Sequence, residues 1–189
     1  MSNPNSIQEV PKLETARLIL RGFTLEDSDD IFEYASDTDV NLFMPWHIHR
    51  SKDETLEFLQ KSDHIFKTSD CIDWGIELKS VRKIIGGISI REWNDQNRCA
   101  DVGYVLSKKF WGKGYTTEVL KEVIKFGFEK LNANRIEAHC DEENIASYKV
   151  MEKVGMKYEG TLRRKVLVKN KFVNMKFYSI LRSEFFNEE

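Results

Sequence analysis

A strand pattern runs into a helix pattern between Val102 and Glu118, with only a short glycine turn separating them. Residues 100–106 carry the composition of a strand, and after Gly114 the period becomes that of a helix through Leu131. In between lies Gly112-Lys113-Gly114. Two glycines let the backbone aim its N–H groups at one point, and the helix N-terminus adds the positive end of its dipole. The result is an anion site suited to a pyrophosphate, with Lys108, Lys109 and Lys113 beside it. A P-loop is excluded because Lys113 is followed by Gly114 rather than Ser or Thr. A dinucleotide fingerprint is excluded because Thr117 stands where a third small residue is needed. A tight turn whose glycines serve geometry alone is the alternative.

The rest of the chain alternates between the same two periods. Residues 16–23 read as a strand with Leu18 and Leu20 on one face. Thr24 caps a helix in which Leu25, Ile31, Phe32 and Ala35 recur, with acids crowding its first turn. Residues 51–66 form a second amphipathic helix with Leu56, Leu59 and Phe66 among its apolar positions, and Ser51 with Glu54 has capping-box spacing. Strands follow at 72–78, 84–93 and 100–106, and Gly86-Gly87 marks a bulge or a close backbone approach. The long helix after Gly114 presents Leu120, Val123, Ile124, Gly127 and Leu131 on its apolar face, and Phe126 and Phe128 read as helix packing. A strand at 135–141 places Ile136, Ala138 and Cys140 on one side, with Cys140 a small buried hydrophobe. Asn144 is the N-cap of a short helix to Val154, ended by Gly155, and strands at 157–166 and 172–181 complete the chain. This order predicts a single α/β domain over residues 13–183, with an arm at 1–12 and a frayed tail at 184–189. Its sheet is mixed, with helices on both faces.

Composition narrows the partners. With 29 Lys and Arg against 31 Asp and Glu in 189 residues, a large electrostatic footprint on DNA or RNA is not expected. Cys71, Cys99 and Cys140 share no C-x-x-C spacing, which implies a reducing compartment and neither a disulfide framework nor a zinc site. The polar N-terminal stretch lacks the apolar core of a secretory signal, and no apolar run approaches a membrane span, so a cytoplasmic protein is expected.

Two motifs bring a family into view. Trp111-Gly112-Lys113-Gly114-Tyr115-Thr116 resembles the acyl-CoA pyrophosphate loop of the GNAT superfamily of N-acetyltransferases, Q/R-x-x-G-x-G/A. About thirty residues on, the segment from Asn144 to Met156 resembles that superfamily's second motif, N-x-x-A/S-x-x-x-Y-x-x-x-G-F. The branch containing ribosomal-protein N-terminal acetyltransferases is the most similar, through Leu13–Arg21, Met44-Pro45-Trp46, Ala100–Tyr104 and Glu159–Arg163. The resemblance spans residues 13–182. It implies a mostly antiparallel sheet of six to seven strands with a splayed central pair. Backbone groups of Tyr104, Val105 and Leu106 would then pair with pantetheine amides. N–H groups of Gly112, Lys113, Gly114, Tyr115 and Thr116 would hold the pyrophosphate of acetyl-CoA, and Asn144 would bond the pantetheine arm.

Acetyl transfer to an amine needs a base, a donor for the oxyanion and a proton or hydrogen bond for the leaving thiolate. The base implied is Asp101, in place of the branch's usual Glu; a carboxylate in a strand-edge salt bridge is the other reading, and Glu92 is a weaker candidate. A backbone N–H near Tyr104 or Val105 would serve the oxyanion. The superfamily's tyrosine acid falls at Met151, so Ser147, one turn earlier, becomes the candidate acid, or else a serine satisfying local backbone. Thr116 replaces Gly or Ala, and Asn174 stands where relatives carry Asp. Trp46 is expected to wall the acceptor pocket, with His47 and His49 lining it rather than holding a metal. His139 reads as a satisfied histidine beside Glu137, and Arg163-Arg164-Lys165 as a solvated strand face.

The function these residues imply is direct acetyl transfer, in a ternary complex and without a metal, to a primary amine. A protein N-terminal α-amine of ribosomal type is the leading acceptor, and no contact with nucleic acid or membrane is expected of a monomer or homodimer. A polyamine or aminoglycoside acetyltransferase is the alternative within the fold, and a non-catalytic acyl-CoA-binding module the alternative outside it.

Overall fold

The computed structural model describes residues 9–68 and 71–187, with side chains of 63–68 left aside. One mixed sheet of eight strands runs through it, in the order β1-β2-β3-β4-β5-β6-β8-β7. These are β1 (Leu13–Glu14), β2 (Leu18–Arg21), β3 (Ile72–Leu78), β4 (Lys83–Asn94), β5 (Cys99–Leu106), β6 (Arg135–Asp141), β7 (Lys157–Val168) and β8 (Lys171–Leu181). The eighth strand is the two-residue β1, too short to leave a period in the sequence. Helices α1 (Ser28–Ala35), α2 (Thr38–Asn41) and α3 (Lys52–Thr68) precede the meander. Helices α4 (Tyr115–Glu129), α5 (Ile145–Lys153) and α6 (Arg182–Phe186) follow β5, β6 and β8.

Burial follows the alternation expected of each strand. Leu18 and Leu20 are fully buried between half-exposed neighbours, as are Ile136 and Ala138 of β6. The main core fills the space between the sheet and α4 and α5, with Trp74, Phe128, Leu120, Ile124 and Ile136 at its centre. A smaller cluster of Ile31, Tyr34, Ala35, Val40, Leu59 and Ile84 seals α1–α3 onto the opposite face, and Trp46 and Val105 pack against it. Covering both faces of a sheet is what long runs of buried strand residues require.

Four local expectations change. Leu25 does not join the apolar face of α1: it is 53% exposed in a single 3₁₀ turn, Leu25–Asp27. Asp27 turns inward instead, accepting from the Thr24 N–H at 2.8 Å and from both terminal nitrogens of Arg21 at 2.8 and 2.7 Å. At α3 the Ser51–Glu54 pair does cap the helix, but Glu54 reaches back to the N–H of Arg50. Thr55 and Leu59 are buried there, Leu56 only half so, and the Phe66 side chain lies outside the described residues. The segment expected to fray from 184 onward includes the end of α6, because Phe185 and Phe186 set their rings 5.5 and 6.2 Å from that of Phe128. The arm is also tied down at its end, where the Pro11 carbonyl accepts from the Trp74 indole at 2.7 Å.

Gly86 serves both purposes foreseen for the glycine pair. The β3–β4 register shifts between Ile76 and Glu77, which pair with Gly86 and Ile84 and leave Ile85 as the extra residue. A Cβ on Gly86 would meet the Val105 carbonyl oxygen at 2.3 Å, a backbone atom that cannot move aside. Gly86→Ala is therefore expected to push β4 from β5 and destabilise the fold by about 2 kcal/mol, a fall in Tm of ~4–8 °C. Thermal unfolding of the purified variant checks it; an unchanged Tm would contradict the close approach.

Candidate active site

β5 is held by β4 from Asn94↔Cys99 to Gly86↔Leu106. β6 is held by β8 along its whole length, Arg135↔Leu181 to Asp141↔Met175. Between them the two strands are parallel, and they pair only at Cys99↔Arg135, Ala100↔Ile136 and Asp101↔Glu137. Beyond Asp101 they diverge, and a V-shaped opening lies between Val102–Leu106 and 138–141. This is the expected splayed pair.

The divergence leaves backbone groups of β5 free to bind. Alternate residues of a strand aim their N–H and C=O groups at opposite neighbours. Ser107 donates its N–H to Ile85, and the Val105 carbonyl lies against Gly86, so both are directed to β4. Tyr104 and Leu106 therefore face the opening, whereas Val105, expected among the pantetheine partners, spends its groups on the sheet. The Leu106 carbonyl accepts from the Trp111 indole at 2.7 Å, which leaves its N–H and both groups of Tyr104 for a ligand.

The glycine turn continues from the mouth of the opening. Gly112 and Gly114 have φ of 73° and 77°, and nothing lies within 4 Å of a Cβ built on Gly112. Gly114 caps α4 without a side chain, so the first N–H groups of the helix have no cap and point outward. Arg17 braces this turn from β2's approach: it donates to the Lys113 carbonyl at 3.0 Å, pairs with Glu118 at 2.6 Å and lies 4.4 Å over the Tyr115 ring. Thr15 donates to the same carboxylate at 2.6 Å. Of the three lysines near the turn, Lys108 pairs with Asp39 and Lys109 with Glu33, and Lys113 lies 5.2 Å over the Phe110 ring. Two of them are thus occupied by acids, which leaves the backbone N–H groups as the main donors at this turn.

On the α4–α5 side of β5, the buried Tyr104 hydroxyl bonds the Ser147 carbonyl at 2.9 Å and its Oγ at 3.0 Å. Burial pushes the Tyr104 pKa up, so the phenol stays protonated. Asn144 caps α5 through its Oδ1, which accepts from the Ser147 N–H at 3.2 Å, so the cap does not use its side-chain N–H groups. Met151, which stands where the resemblance places a tyrosine acid, is 1% exposed and packed in the main core. Cys140 is buried in the same core, and burial raises its thiol to about 11.

On the other face, Asp101 is 4% exposed and both its oxygens are engaged: Oδ1 accepts from Arg91 Nε and Oδ2 meets His139 Nδ1, each at 2.8 Å. The salt bridge expected of Asp101 is present, and it lies where β5 and β6 part. Glu92 is exposed at a bulge, with φ of 55°. Trp46 and Val105 both pack against the smaller cluster on this face, and the Trp46 ring lies 5.6 Å from that of His49, whose Nδ1 meets Thr55 Oγ1 at 2.9 Å. Burial lowers the His49 pKa. Asn174 bonds Glu142 and the Arg164 N–H, and Arg163–Lys165 fall on an exposed bulge of β7. Among the described residues no group of three His, Cys, Asp or Glu could hold a metal ion, and no helix is long and apolar enough to cross a membrane.

A parallel strand pair that parts beside an uncapped helix N-terminus describes an acyl-CoA-binding transferase. Residues 17–157 match the acetyltransferase (GNAT) domain model, and the chain belongs to that family: it is an acetyl-CoA-dependent N-acetyltransferase. It is 30% identical over 173 residues to the uncharacterized N-acetyltransferase p20 of Bacillus licheniformis, covering 92% of this chain and 97% of that one. A GNAT acetyltransferase structure from Bacillus anthracis superposes with a TM-score of 0.82 at 28% identity, covering 92% of this chain and all of the other. Two more distant relatives carry acceptor names. YdaF of Bacillus subtilis, provisionally named a ribosomal N-acetyltransferase, is 32% identical over 106 residues, covering 56% of this chain and 58% of that one. The spermidine N(1)-acetyltransferase of Escherichia coli is 25% identical over 125 residues, covering 62% and 67%.

If Arg17 braces the turn, Arg17→Met should leave Glu118 bare beside the anion site. Acetyl-CoA binding is expected to weaken about 10-fold, or ~1.4 kcal/mol, in calorimetric titration. Unchanged affinity would remove Arg17 from the account.

Proposed function

We propose that this enzyme acetylates a primary amine of the α-amino type, a protein N-terminus, in a ternary complex with acetyl-CoA in the β5–β6 opening. The observation that carries the reading is the parting of β5 from β6 after Asp101, with the glycine turn at its mouth. The thioester supplies the activated acetyl group. Tyr104 and Leu106 present the backbone groups that hold the pantetheine, the Tyr104 N–H serves the oxyanion, and 112–116 hold the pyrophosphate. Asn144 supplies side-chain N–H groups to the arm. Thr116, half-buried in the first turn of α4, adds a hydroxyl there.

Ser147 acts on the leaving sulfur. When Tyr104 turns its O–H toward Ser147 Oγ, the serine hydrogen is released toward the opening and can bond a thiolate. Full proton transfer is not needed, since a charge-assisted hydrogen bond is itself stabilising. Asp101 fixes the negative charge that draws off the amine proton. An α-amine has an ordinary pKa of about 7.7–8.0, so much of it is already neutral at pH 7–8 and a modest base suffices.

The acceptor enters on the Trp46 face. Lys169, at the β7–β8 turn with Asn170, bonds both oxygens of Asn41, and Asn41 Nδ2 donates to the Trp46 carbonyl at 2.9 Å. The hairpin tip thereby anchors the wall of the acceptor pocket. Three free thiols fit a reducing cytoplasm.

Acetyl-CoA at a hundred times its Kd should stabilise the fold by ~2.7 kcal/mol, raising Tm by about 5–10 °C, with CoA but not ATP doing the same. Release of CoA thiol with a panel of N-terminal peptides, and not with polyamines, then tests the acceptor; the reverse pattern would overturn the α-amine reading. Ser147→Ala is expected to lower kcat about 10- to 100-fold, the loss of one hydrogen bond to a charged group, with little change in the KM for acetyl-CoA. A variant with unchanged kcat would dismiss the serine.

A further inference from the structure

The Asp101 carboxylate cannot reach an amine directly. It is 4% exposed, and Arg91 and His139 take one oxygen each. Arg91 is fixed in turn: its guanidinium lies over Gly103, where a Cβ would come within 2.8 Å of it. Any proton leaving the acceptor must therefore go to a group that Asp101 holds.

His139 meets that requirement. Asp101 pairs in register with Glu137, so Glu137 and His139 project from the same face of the sheet as Asp101. His139 lies two residues past the last β5–β6 pair, where β6 has already parted from β5. Its ring stacks on Phe177, centroids 5.3 Å apart and 23° between planes, which fixes one face of the imidazole. Because a carboxylate only accepts, the 2.8 Å contact puts the proton on Nδ1 and the lone pair on Nε2. The side chain is 25% exposed, and Nε2 has no partner among the described residues.

We propose that His139, oriented by Asp101, is the catalytic base that takes the proton from the acceptor amine, and that Asp101 is its positioning residue. The proposal rests on the acetyltransferase reading of the opening. In the step, the amine nitrogen bonds the thioester carbonyl carbon and the C–S bond breaks. CoA leaves as thiolate with the electron pair, and the amine proton passes to Nε2 and then to solvent. The groups facing His139 are consistent with this. The bond from Asp101 raises its pKa above the ordinary 6.5 against burial, Glu92 adds to the rise, and Arg91 opposes it. Glu137, on the same face, is held by Arg135 at 2.6 Å. The ring is therefore a stronger base than an ordinary histidine.

The test is the pH dependence of kcat for wild type and His139→Gln, using whichever amine supports CoA release. Wild type should show an acidic limb in kcat from the imidazolium. In His139→Gln that limb should vanish and kcat fall about 10²- to 10³-fold, with partial rescue by added imidazole. The acetyl-CoA-induced Tm shift should be unchanged, showing an intact fold. Asp101→Asn should move the limb to lower pH, and NMR titration of the His139 ring should show the same shift without any acceptor. Turnover with polyamines alone would fail the α-amine reading yet leave this test standing. Wild-type kcat and pH profile in His139→Gln would overturn the proposal, as would a His139 titration indifferent to Asp101→Asn.

Discussion

Everything functional in this chain depends on two neighbouring strands failing to pair. β5 and β6 are joined at three residue pairs and then part, while each remains fully engaged on its outer side by β4 or β8. Unpaired backbone groups in the middle of a sheet are costly unless water or a ligand meets them. The structure tolerates this because the gap is bridged elsewhere: the Tyr104 phenol crosses from β5 to Ser147 on α5, and His139 crosses from β6 to Asp101 on β5. One bridge lies on each face of the sheet. Each couples a strand of the opening to a group that can move or hold a proton, so stability and chemistry share the same contacts.

The glycine-turn end works on a different principle. Its glycines free the backbone to point N–H groups outward, and two of the nearby lysines are paired with Asp39 and Glu33. An acid, Glu118, even sits in the first turn of α4, where it would compete with a phosphate. Arg17 and Thr15 answer it: burial alone would raise the Glu118 pKa, but their hydrogen bonds hold the carboxyl below the ordinary range and keep it turned toward β2. The acid thus fastens the turn to the sheet, and the helix N–H groups are left to the ligand.

Much of this was legible in the sequence because it is local. Strand and helix periods gave the meander, the long helix and the short one capped by Asn144, and the glycine turn announced itself by its spacing. What stayed hidden is non-local. Leu25 reads as apolar helix face until Asp27 is drawn inward by Arg21. Phe185 and Phe186 read as tail until Phe128 is known to await them. The Arg91–Asp101–His139 row spans three strands and 48 residues of sequence, and its register depends on a bulge at Arg91/Asn94 that no period records. Asp101 is readable as a candidate; that Arg91 and His139 take both its oxygens is not. The Tyr104 hydroxyl is hidden in the same way, because its partner Ser147 lies 43 residues away. A tyrosine on the core face of a strand, facing a helix that carries Met151 where the resemblance places a tyrosine, is the one available clue.

The central claim is that acetyl-CoA completes β5 as a missing strand would. Residue-resolved amide hydrogen exchange, with and without CoA, tests it most directly. The account predicts new protection at the N–H groups of Tyr104, Leu106 and residues 112–116, with Val105 and Ser107 unchanged because β4 already holds them. Protection confined to other surfaces, or equal gains at Val105 and Tyr104, would contradict it.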